Sequence, residues 1–462
     1  RIYSQIAEVS SIGYGETFVV GTTPTPIRRA PTAMAGGRPG DVRARRSRVT
    51  NAPMSEGARA VDVRPQRGEV GSTERCWRCG AAVKARRADG ELGVCENCAH
   101  ELARLADAPE PISMADIAAC KPRAEELRRA RRRLRGKAAG ILVTTAASYV
   151  GLGSSLAVCG WRWRSAVPAV CLVAVGTGVM HDANHGAFGR SRRWNRALAY
   201  SADVLGASSW FWRHQHNGIH HANTNVVGID TDIEQMPFAR LAPEQQWRPW
   251  HRFQHIYMWF LYGFIAMRML LSDFSGLFTN RIGSQPLPRR PSRRDVTALV
   301  VGKLLHALWA LALPMVFHPW WHVLLFYVGI SWVVGLLLAT FFQLAHCNDL
   351  VGFAAASAAR RGGDFGAHQL STTANVGTKG LGRPIGWLMG GLNHQIEHHL
   401  APGTPHAAYP AMAARVRRLC VDHHVPYHVH RTFASAVGSH VRWLRAMGAR
   451  PPDRRSGAGV AT

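Results

Sequence analysis

Four long apolar runs limit the folds available to this chain. They contain few charged residues and occupy residues 138–160, 165–180, 296–317 and 321–345. A helix of roughly 20 apolar residues crosses the hydrocarbon core of a bilayer. Such a helix also satisfies its own backbone hydrogen bonds, which the anhydrous core requires. The sequence therefore predicts an all-α, multi-pass membrane protein with about four transmembrane helices and additional interfacial helices.

Basic residues near these runs predict how the chain lies in the membrane. The formal net charge is +27, and arginines are concentrated at 123–135, 190–196, 281–294 and from 415 onward. Basic loops beside membrane helices remain on the cytoplasmic side and attract anionic headgroups. We therefore interpret the charge as a sign of membrane topology and of contact with membrane lipids. Nucleic acid is not expected as a partner.

A cytoplasmic position for the basic segment 123–137 makes the first two runs an outward and inward pair. The last two runs form a second pair. A further apolar stretch, 254–271, precedes the basic loop 281–294, which also belongs in the cytoplasm. We predict that this stretch is an interfacial helix rather than a full crossing. The polar segments between the pairs are then expected to form a helical cap on the cytoplasmic face.

The residues before the first run have a different composition. Residues 1–70 are rich in Gly, Pro, Arg, Thr and Ala without periodicity, which predicts disorder. The first residue is Arg, so a natural start at Met54 or Met114 would leave part of residues 1–113 untranslated. Residues 115–137 have the pattern of a basic amphipathic helix at the membrane surface. At the other end, residues 431–462 are expected to form a basic tail.

Four cysteines in residues 71–110 have the spacing of a small zinc-ribbon-like knuckle. Two Cys-x-x-Cys pairs, Cys76 with Cys79 and Cys95 with Cys98, flank a 15-residue spacer. This spacing allows four thiolates to bind one tetrahedral zinc ion. Four free thiols, paired disulfides and a redox role are the alternatives. A second hypothesis follows, in which the segment is a binding module tethered to a membrane anchor.

Histidines are clustered at three places and at the end of the last apolar run. The clusters contain His181 and His185, then His216, His220 and His221, then His398 and His399, while His346 ends the run. Positions i and i+4 share one face of an α-helix, so His181 and His185 can bind one ion, as can His216 and His220. The adjacent His221 points about 100° away and can reach a second ion. An imidazole-rich site favours iron over calcium or magnesium, and two irons can activate dioxygen.

The order HDxxH, HxxxHH and QxxHH, separated by paired apolar runs, resembles the membrane fatty acid desaturases. Further matches place the resemblance in the acyl-lipid and linoleoyl-CoA, or front-end (delta-6-like), branch, and they cover roughly residues 138–430. These matches are Trp212-Arg213, Asn217, Thr224-Asn225, Asp230, Asp232, Gln343 to His346, His368-Gln-Leu, Thr372 to Asn375 and Gly390 to Asn393.

The resemblance implies an oxygen-dependent desaturase that introduces a cis double bond into a fatty acyl chain. It implies a cytoplasmic cap that holds two non-haem iron ions, with ligands at His181, His185, His216, His220, His221, His346, Gln395, His398 and His399. Gln395 is expected to ligate weakly or through water, and His394 gives an alternative register. Residues that could orient the imidazoles are Asp182, Asn184, Asn225, Asp232 and Glu397.

The resemblance also implies an electron donor. The sequence contains no His-Pro-Gly-Gly haem motif of a fused cytochrome b5 domain. An external donor, a ferredoxin or a cytochrome b5-like protein with its reductase, is therefore expected. A hydroxylase or ketolase of the same di-iron superfamily is the nearest alternative function. His406, His423, His424, His428 and His430 are interpreted as solvated residues of the cap.

Overall fold

The computed structural model describes residues 111–159, 166–359, 364–379 and 382–451, together with two short strands nearer the N-terminus. The predicted disorder of residues 1–70 and the proposed zinc ligands Cys76, Cys79, Cys95 and Cys98 lie outside the described residues. The two strands, Glu74–Arg75 and Ala82–Val83, form an antiparallel pair.

Helices dominate the described part of the chain. The α-helices are Met114–Cys120, Ala124–Cys159, Ala166–Val175, His181–Asn184, Arg192–Ala199, Ser201–Val204, Ser209–Arg213, Gln254–Tyr262, Ile265–Thr279, Arg293–Ala307, Leu313–Phe317, Trp320–His346, Ala356–Ala359, Phe365–Thr372, Arg383–Leu388, Gln395–Leu400, Tyr409–Asp422 and Phe433–Gly448. The described residues also contain π-helical and 3-10 segments. The π-helical segments are Gly176–Met180, His214–His220 and Leu308–Ala312, and the 3-10 segments are Pro249–Phe253 and His406–Ala408.

Short strand pairs connect distant parts of the chain. Val226–Val227 pairs in parallel with Ala354–Ala355, and Asn375–Val376 pairs in parallel with Val429–His430. Arg281–Ile282 and Gln285–Pro286 form an antiparallel hairpin.

The first long helix differs from the predicted boundary at residue 137. A short helix, Met114–Cys120, begins at a capping box between Ser113 and Asp116. After Pro122 a single helix runs from Ala124 to Cys159. No proline interrupts this helix, so the basic amphipathic stretch continues directly into the first apolar run.

Two described helices are long and apolar enough to cross a membrane. They are Arg293–Phe317, with 25 residues, and Trp320–His346, with 27 residues. They coincide with the predicted runs 296–317 and 321–345. Many of their large apolar side chains are exposed, including Val316 at 74% and Leu304 at 65%, as lipid-facing side chains would be. The predicted runs 138–160 and 165–180 remain predictions as spans.

The stretch predicted to be interfacial is a bent pair of helices. Pro249–Tyr262 and Ile265–Thr279 meet at an angle of 79°. If the pair formed one broken span, the described residues would contain three candidate spans.

The C-terminal region is more ordered than a basic tail. Helix Phe433–Gly448 buries one side, with Ala436, His440, Trp443 and Leu444 turned inward. These positions follow the helical repeat, which explains why the helix packs against the rest of the protein. Residues 452–462 lie outside the described part of the chain.

A close crossing of two helices depends on glycine. A Cβ atom at Gly335 would lie 2.3 Å from the carbonyl oxygen of Gly263. Gly329 lies on the same helix, and a Cβ atom there would have no neighbour within 4 Å. The pair allows a matched test of the crossing.

We predict that Gly335→Ala lowers the thermal unfolding temperature of the detergent-solubilised protein, because overpacking costs about 1–3 kcal/mol. Gly329→Ala should leave that temperature unchanged or raise it slightly, since alanine favours the helix. Thermal scans of both variants measure the effect, and equal shifts in the two variants would contradict the close crossing.

Candidate metal centre

Each histidine cluster lies at or next to a helix end. His181 begins the helix that follows the π-helical segment Gly176–Met180, and His185 caps its C-terminus. His216 and His220 lie in the π-helical segment His214–His220, and His221 follows it. His346 is the last residue of helix Trp320–His346, and His398 and His399 lie in Gln395–Leu400. All eight imidazoles are buried.

The fold gathers these histidines into two groups with a bridging residue. The first group is His181, His185, His216 and His398, and the second is His220, His346 and His399. His221 makes a further group with His398 and His399 and so lies between the first two. Within each group the ligand atoms lie within 4.8 Å of one another. Such an arrangement can hold two cations close together.

The π-helical segment changes the pairing expected from α-helical spacing. His221 donates its backbone N–H to the carbonyl of His216, five residues earlier, at 3.0 Å. The Nε2 atoms of His216 and His221 then face each other at 3.2 Å. His220 turns toward His346 and His399, although it also forms a looser group with His216 and Asp232. His216 and His220 thus belong to different main groups, while their own group with Asp232 keeps the expectation that they bind one ion a prediction.

Unpartnered ring nitrogens test whether these residues fit a metal. Buried polar atoms in folded proteins are almost always hydrogen-bonded. Yet at least one ring nitrogen has no hydrogen-bond partner among the described residues in each of His181, His185, His220, His221, His346, His398 and His399. These nitrogens converge on the two groups. The donor set thus fits a pair of metal ions that prefer imidazole.

Second ring nitrogens of several histidines are held by polar neighbours. The Nδ1–H of His220 donates to the Asp230 carboxylate at 3.1 Å, and that of His399 donates to Gln369 at 2.9 Å. The Nδ1 atom of His398 lies 2.9 Å from the Tyr409 hydroxyl. These contacts fix the ring orientations and leave each Nε2 free for a cation.

Sequence reasoning did not assign these three supporting roles. In the sequence, Asp230 stands only among the matches to the desaturase family, and Gln369 only beside His368 in one of those matches. Asp230 could have been found from its place two residues before Asp232. Tyr409 carries no local signal, because its role depends on how helix Tyr409–Asp422 packs beneath the third cluster.

The residues expected to orient imidazoles have mixed contacts. Asp232 lies 3.5 Å from His220, and Asp182 lies 3.7 Å from His181 while accepting two hydrogen bonds from His406. Asn225 donates to the backbone carbonyl of His346. Asn184 instead accepts from Arg213, and Glu397 accepts from Asn375 and Tyr427.

His406 is buried and bonded to Asp182, so its interpretation as a solvated residue of the cap is wrong. His430 is likewise buried.

Gln395 and His394 occupy different environments. Gln395 is buried, and its carbonyl oxygen has no hydrogen-bond partner among the described residues. His394 lies at the N-terminus of the helix with 25% of its side chain exposed, and its Nδ1 is 3.6 Å from Glu397. These positions favour Gln395 as the residue that faces the histidine groups, which stays a prediction.

Burial sets the protonation of most of these imidazoles. Desolvation, strengthened by neighbouring imidazoles, holds the pKa values of His216, His221 and His398 well below the ordinary range. The same causes act on His185 and His399. These rings are therefore neutral at physiological pH, the form that binds metals.

His220 is the exception. Burial lowers its pKa, but the carboxylates of Asp230 and Asp232 outweigh burial and raise it to about 9. A cation bound at Nε2 of His220 would displace the proton from that nitrogen. The Nδ1–H would remain and would still donate to Asp230, which holds the ring in place.

We predict that Asp230→Asn weakens iron binding by about 10–100-fold, because the amide no longer orients His220 as a carboxylate does. Iron per chain, measured after dialysis against a graded series of chelator concentrations, checks the expected loss. Glu234→Gln is the matched control, since Glu234 lies in the same loop and bonds Ser284 instead of a histidine. Equal iron retention in both variants would exclude the supporting role of Asp230.

Comparison with known proteins agrees with this geometry. The fatty acid desaturase family profile matches residues 155–431, which include all eight clustered histidines. An acyl-lipid (8-3)-desaturase of Physcomitrium patens is 37% identical over 283 residues, which are 59% of this chain and 58% of the moss protein. An sn-1 linoleoyl-lipid 6-desaturase of Synechocystis is 34% identical over 61% of this chain and 79% of that protein. An acyl-lipid (7-3)-desaturase of Rebecca salina is 31% identical over 66% of this chain and 69% of its own length.

These similarities confirm the resemblance that the histidine clusters indicated, including its acyl-lipid branch. This chain belongs to the fatty acid desaturase family.

Proposed function

We propose that this protein is an oxygen-dependent desaturase of fatty acyl chains held at the membrane. The acyl chain loses two hydrogens and gains one cis double bond. Dioxygen takes up those two hydrogens, two electrons and two protons, and leaves as two molecules of water. The observation that carries this proposal is the convergence of buried, unpartnered imidazole nitrogens into two adjacent groups.

Two iron ions are the metals we propose for the centre. His181, His185, His216 and His398 would hold one, and His220, His346 and His399 the other, with His221 between them and Gln395 as a weak ligand. Iron, when bound there, supplies reductive activation of dioxygen. Closed-shell calcium and magnesium prefer oxygen ligands and cannot supply redox chemistry, so neither suits the site.

The chain's own residues would orient the ligands and exclude water. Asp230, Gln369 and Tyr409 hold the outer nitrogens of His220, His399 and His398. Trp212 stacks on His216 at a ring-centroid distance of 4.3 Å. Such packing keeps the imidazoles in one orientation and limits access of bulk solvent.

We infer four membrane spans at 138–160, 165–180, 296–317 and 321–345, with the centre on the cytoplasmic face. The basic loops support this orientation through the positive-inside rule. The acyl chain would enter from the bilayer below the cap. The names of the relatives favour an acyl chain on a membrane lipid as the substrate.

An external protein would supply the electrons one at a time. A ferredoxin or a cytochrome b5-like protein with its reductase fits, since the net charge of +27 attracts an acidic carrier. A zinc ion at Cys76, Cys79, Cys95 and Cys98 remains a separate proposal, supported by the spacing alone.

The proposed activity predicts a new unsaturated fatty acid in cells that express the full chain with a functioning donor. Gas chromatography with mass detection of the cellular acyl chains measures it. His346→Ala and His398→Ala should each abolish the product, because each removes one ligand from a group. His322→Ala is the control, since His322 lies near the other end of the same helix as His346.

Two results would refute the proposal. One is identical acyl profiles for the wild-type protein and His398→Ala when the donor is active. The other is a hydroxylated acyl chain in place of the alkene, which would assign the protein to the hydroxylases of the superfamily.

A further inference from the structure

A pocket with several polar lining residues opens at the surface beside the metal centre. Its volume is about 260 Å³, and its lining includes Lys137, Arg383, His394, His406, Thr378 and Asn393. No Asp or Glu is among the described residues that line it. None of the eight clustered histidines lines this pocket.

Lys137 is a cation without a carboxylate partner. Its Nζ donates to the Trp387 carbonyl oxygen at 2.9 Å and lies 3.4 Å from Nε2 of His406. In the described ranges no ion pair joins Lys137 or Arg383 to an Asp or Glu. Burial lowers the pKa of Lys137 to about 8, which leaves the ammonium mostly charged at neutral pH. The field of the buried Asp182 acts on Lys137, but no carboxylate among the described residues pairs directly with the ammonium, so the pocket can offer positive charge to an anion.

His406 and His394, the two histidines that line the pocket, each contact a buried carboxylate. Asp182 accepts from the backbone N–H and from Nδ1 of His406, both at 3.0 Å. Glu397 is fully buried and lies 3.6 Å from Nδ1 of His394. Neither carboxylate lines the pocket. Asp182 thus fixes the ring of His406 with its Nε2 toward Lys137.

Glycines bring the lining residues close together. Gly391 has φ +87°, and a Cβ atom there would lie 2.4 Å from Cβ of His406. A Cβ atom at Gly386 would lie 2.5 Å from the Thr378 hydroxyl. The backbone thus requires glycine at both positions for His406 and Thr378 to reach the pocket.

The pocket lies where the sequence changes from cytoplasmic to membrane character. Lys137 is the last basic residue before the apolar run at 138–160. Trp387, whose ring lies 5.0 Å from the Lys137 ammonium, is 51% exposed. Exposed tryptophans are typical of the level of the lipid headgroups.

We propose that this pocket binds the phosphate of a glycerophospholipid headgroup. Lysine and arginine donate charge-assisted hydrogen bonds to phosphate oxygens, and the Thr378 hydroxyl and the Asn393 amide add neutral donors. The lipid would present its acyl chain to the centre from below. That last step rests on the proposed function, whereas binding of the phosphate requires neither iron nor turnover.

Native mass spectrometry of the full chain in detergent tests the proposal. The probes are phosphatidylglycerol, a diacylglycerol with the same acyl chains, and inorganic phosphate. We expect phosphatidylglycerol to bind the wild-type protein at least tenfold more tightly than diacylglycerol. Lys137→Gln and Arg383→Gln should each weaken phosphatidylglycerol binding by about tenfold or more, because a hydrogen bond to a charged group is lost.

Arg290→Gln is the control for general attraction between a basic protein and an anionic lipid. It makes the same change of charge at an exposed loop residue that does not line the pocket. It should leave the affinity within about twofold, because only screened long-range attraction is lost. Thermal unfolding of each variant shows that it is folded. Lys137→Gln and Arg383→Gln test the pocket separately, so one variant that failed to fold would leave the other as a test.

Three results would overturn the proposal. They are equal weakening in Arg290→Gln, equal binding of diacylglycerol, and binding of inorganic phosphate with no preference for the lipid, which would assign the site to a free anion. A wild-type protein that desaturates normally but does not prefer phosphatidylglycerol to diacylglycerol would refute the pocket and leave the proposed function standing. Absence of desaturation with intact phosphatidylglycerol binding would do the reverse.

Discussion

Burial of eight imidazoles around a common point is the constraint on which the rest of this structure depends. A buried polar atom without a partner costs about 1–3 kcal/mol, and seven of these histidines keep such a nitrogen among the described residues. Burial, together with repulsion between neighbouring imidazoles when they are protonated, lowers the pKa of most of these rings and keeps them neutral. Bound cations would satisfy the free nitrogens and link metal binding to the stability of the fold.

Irregular helices place these imidazoles. The π-helical segment Gly176–Met180 leads into His181, and the segment His214–His220 divides the second cluster between two groups. Single-turn π-helices are often found at functional sites. In a regular α-helix His221 would point about 100° away from His220, whereas the π-helical segment brings its ring against that of His216. The change of helical repeat thus makes a dinuclear arrangement possible with few residues.

The polar neighbours of the centre join distant parts of the chain. Asp230 supports His220 from a loop, Gln369 supports His399 from helix Phe365–Thr372, and Tyr409 supports His398 from helix Tyr409–Asp422. Gln369 also donates to the backbone carbonyl of His221. The second and third clusters are therefore held by the same side chain, so a disturbance in one group should reach the other.

The clusters, the helical class and two candidate spans were predictable from sequence because they depend on local spacing and apolar length. His181 and His185 are a fixed interval apart, and helices Arg293–Phe317 and Trp320–His346 are long apolar runs. The placement of His216 and His220 in different main groups was not predictable, because the residue spacing does not show whether the segment is an α-helix or a π-helix. The roles of Tyr409 and His406 were not predictable, because each depends on tertiary packing. Tyr409 contacts His398 across two helices, and His406 contacts Asp182 from a distant part of the chain.

The two histidine groups can be tested most directly by anomalous diffraction at the iron K edge from crystals of the iron-loaded full chain. The two-group arrangement predicts two peaks. One should lie among His181, His185, His216 and His398, and the other among His220, His346 and His399. A single peak, or iron located away from these imidazoles, would contradict it.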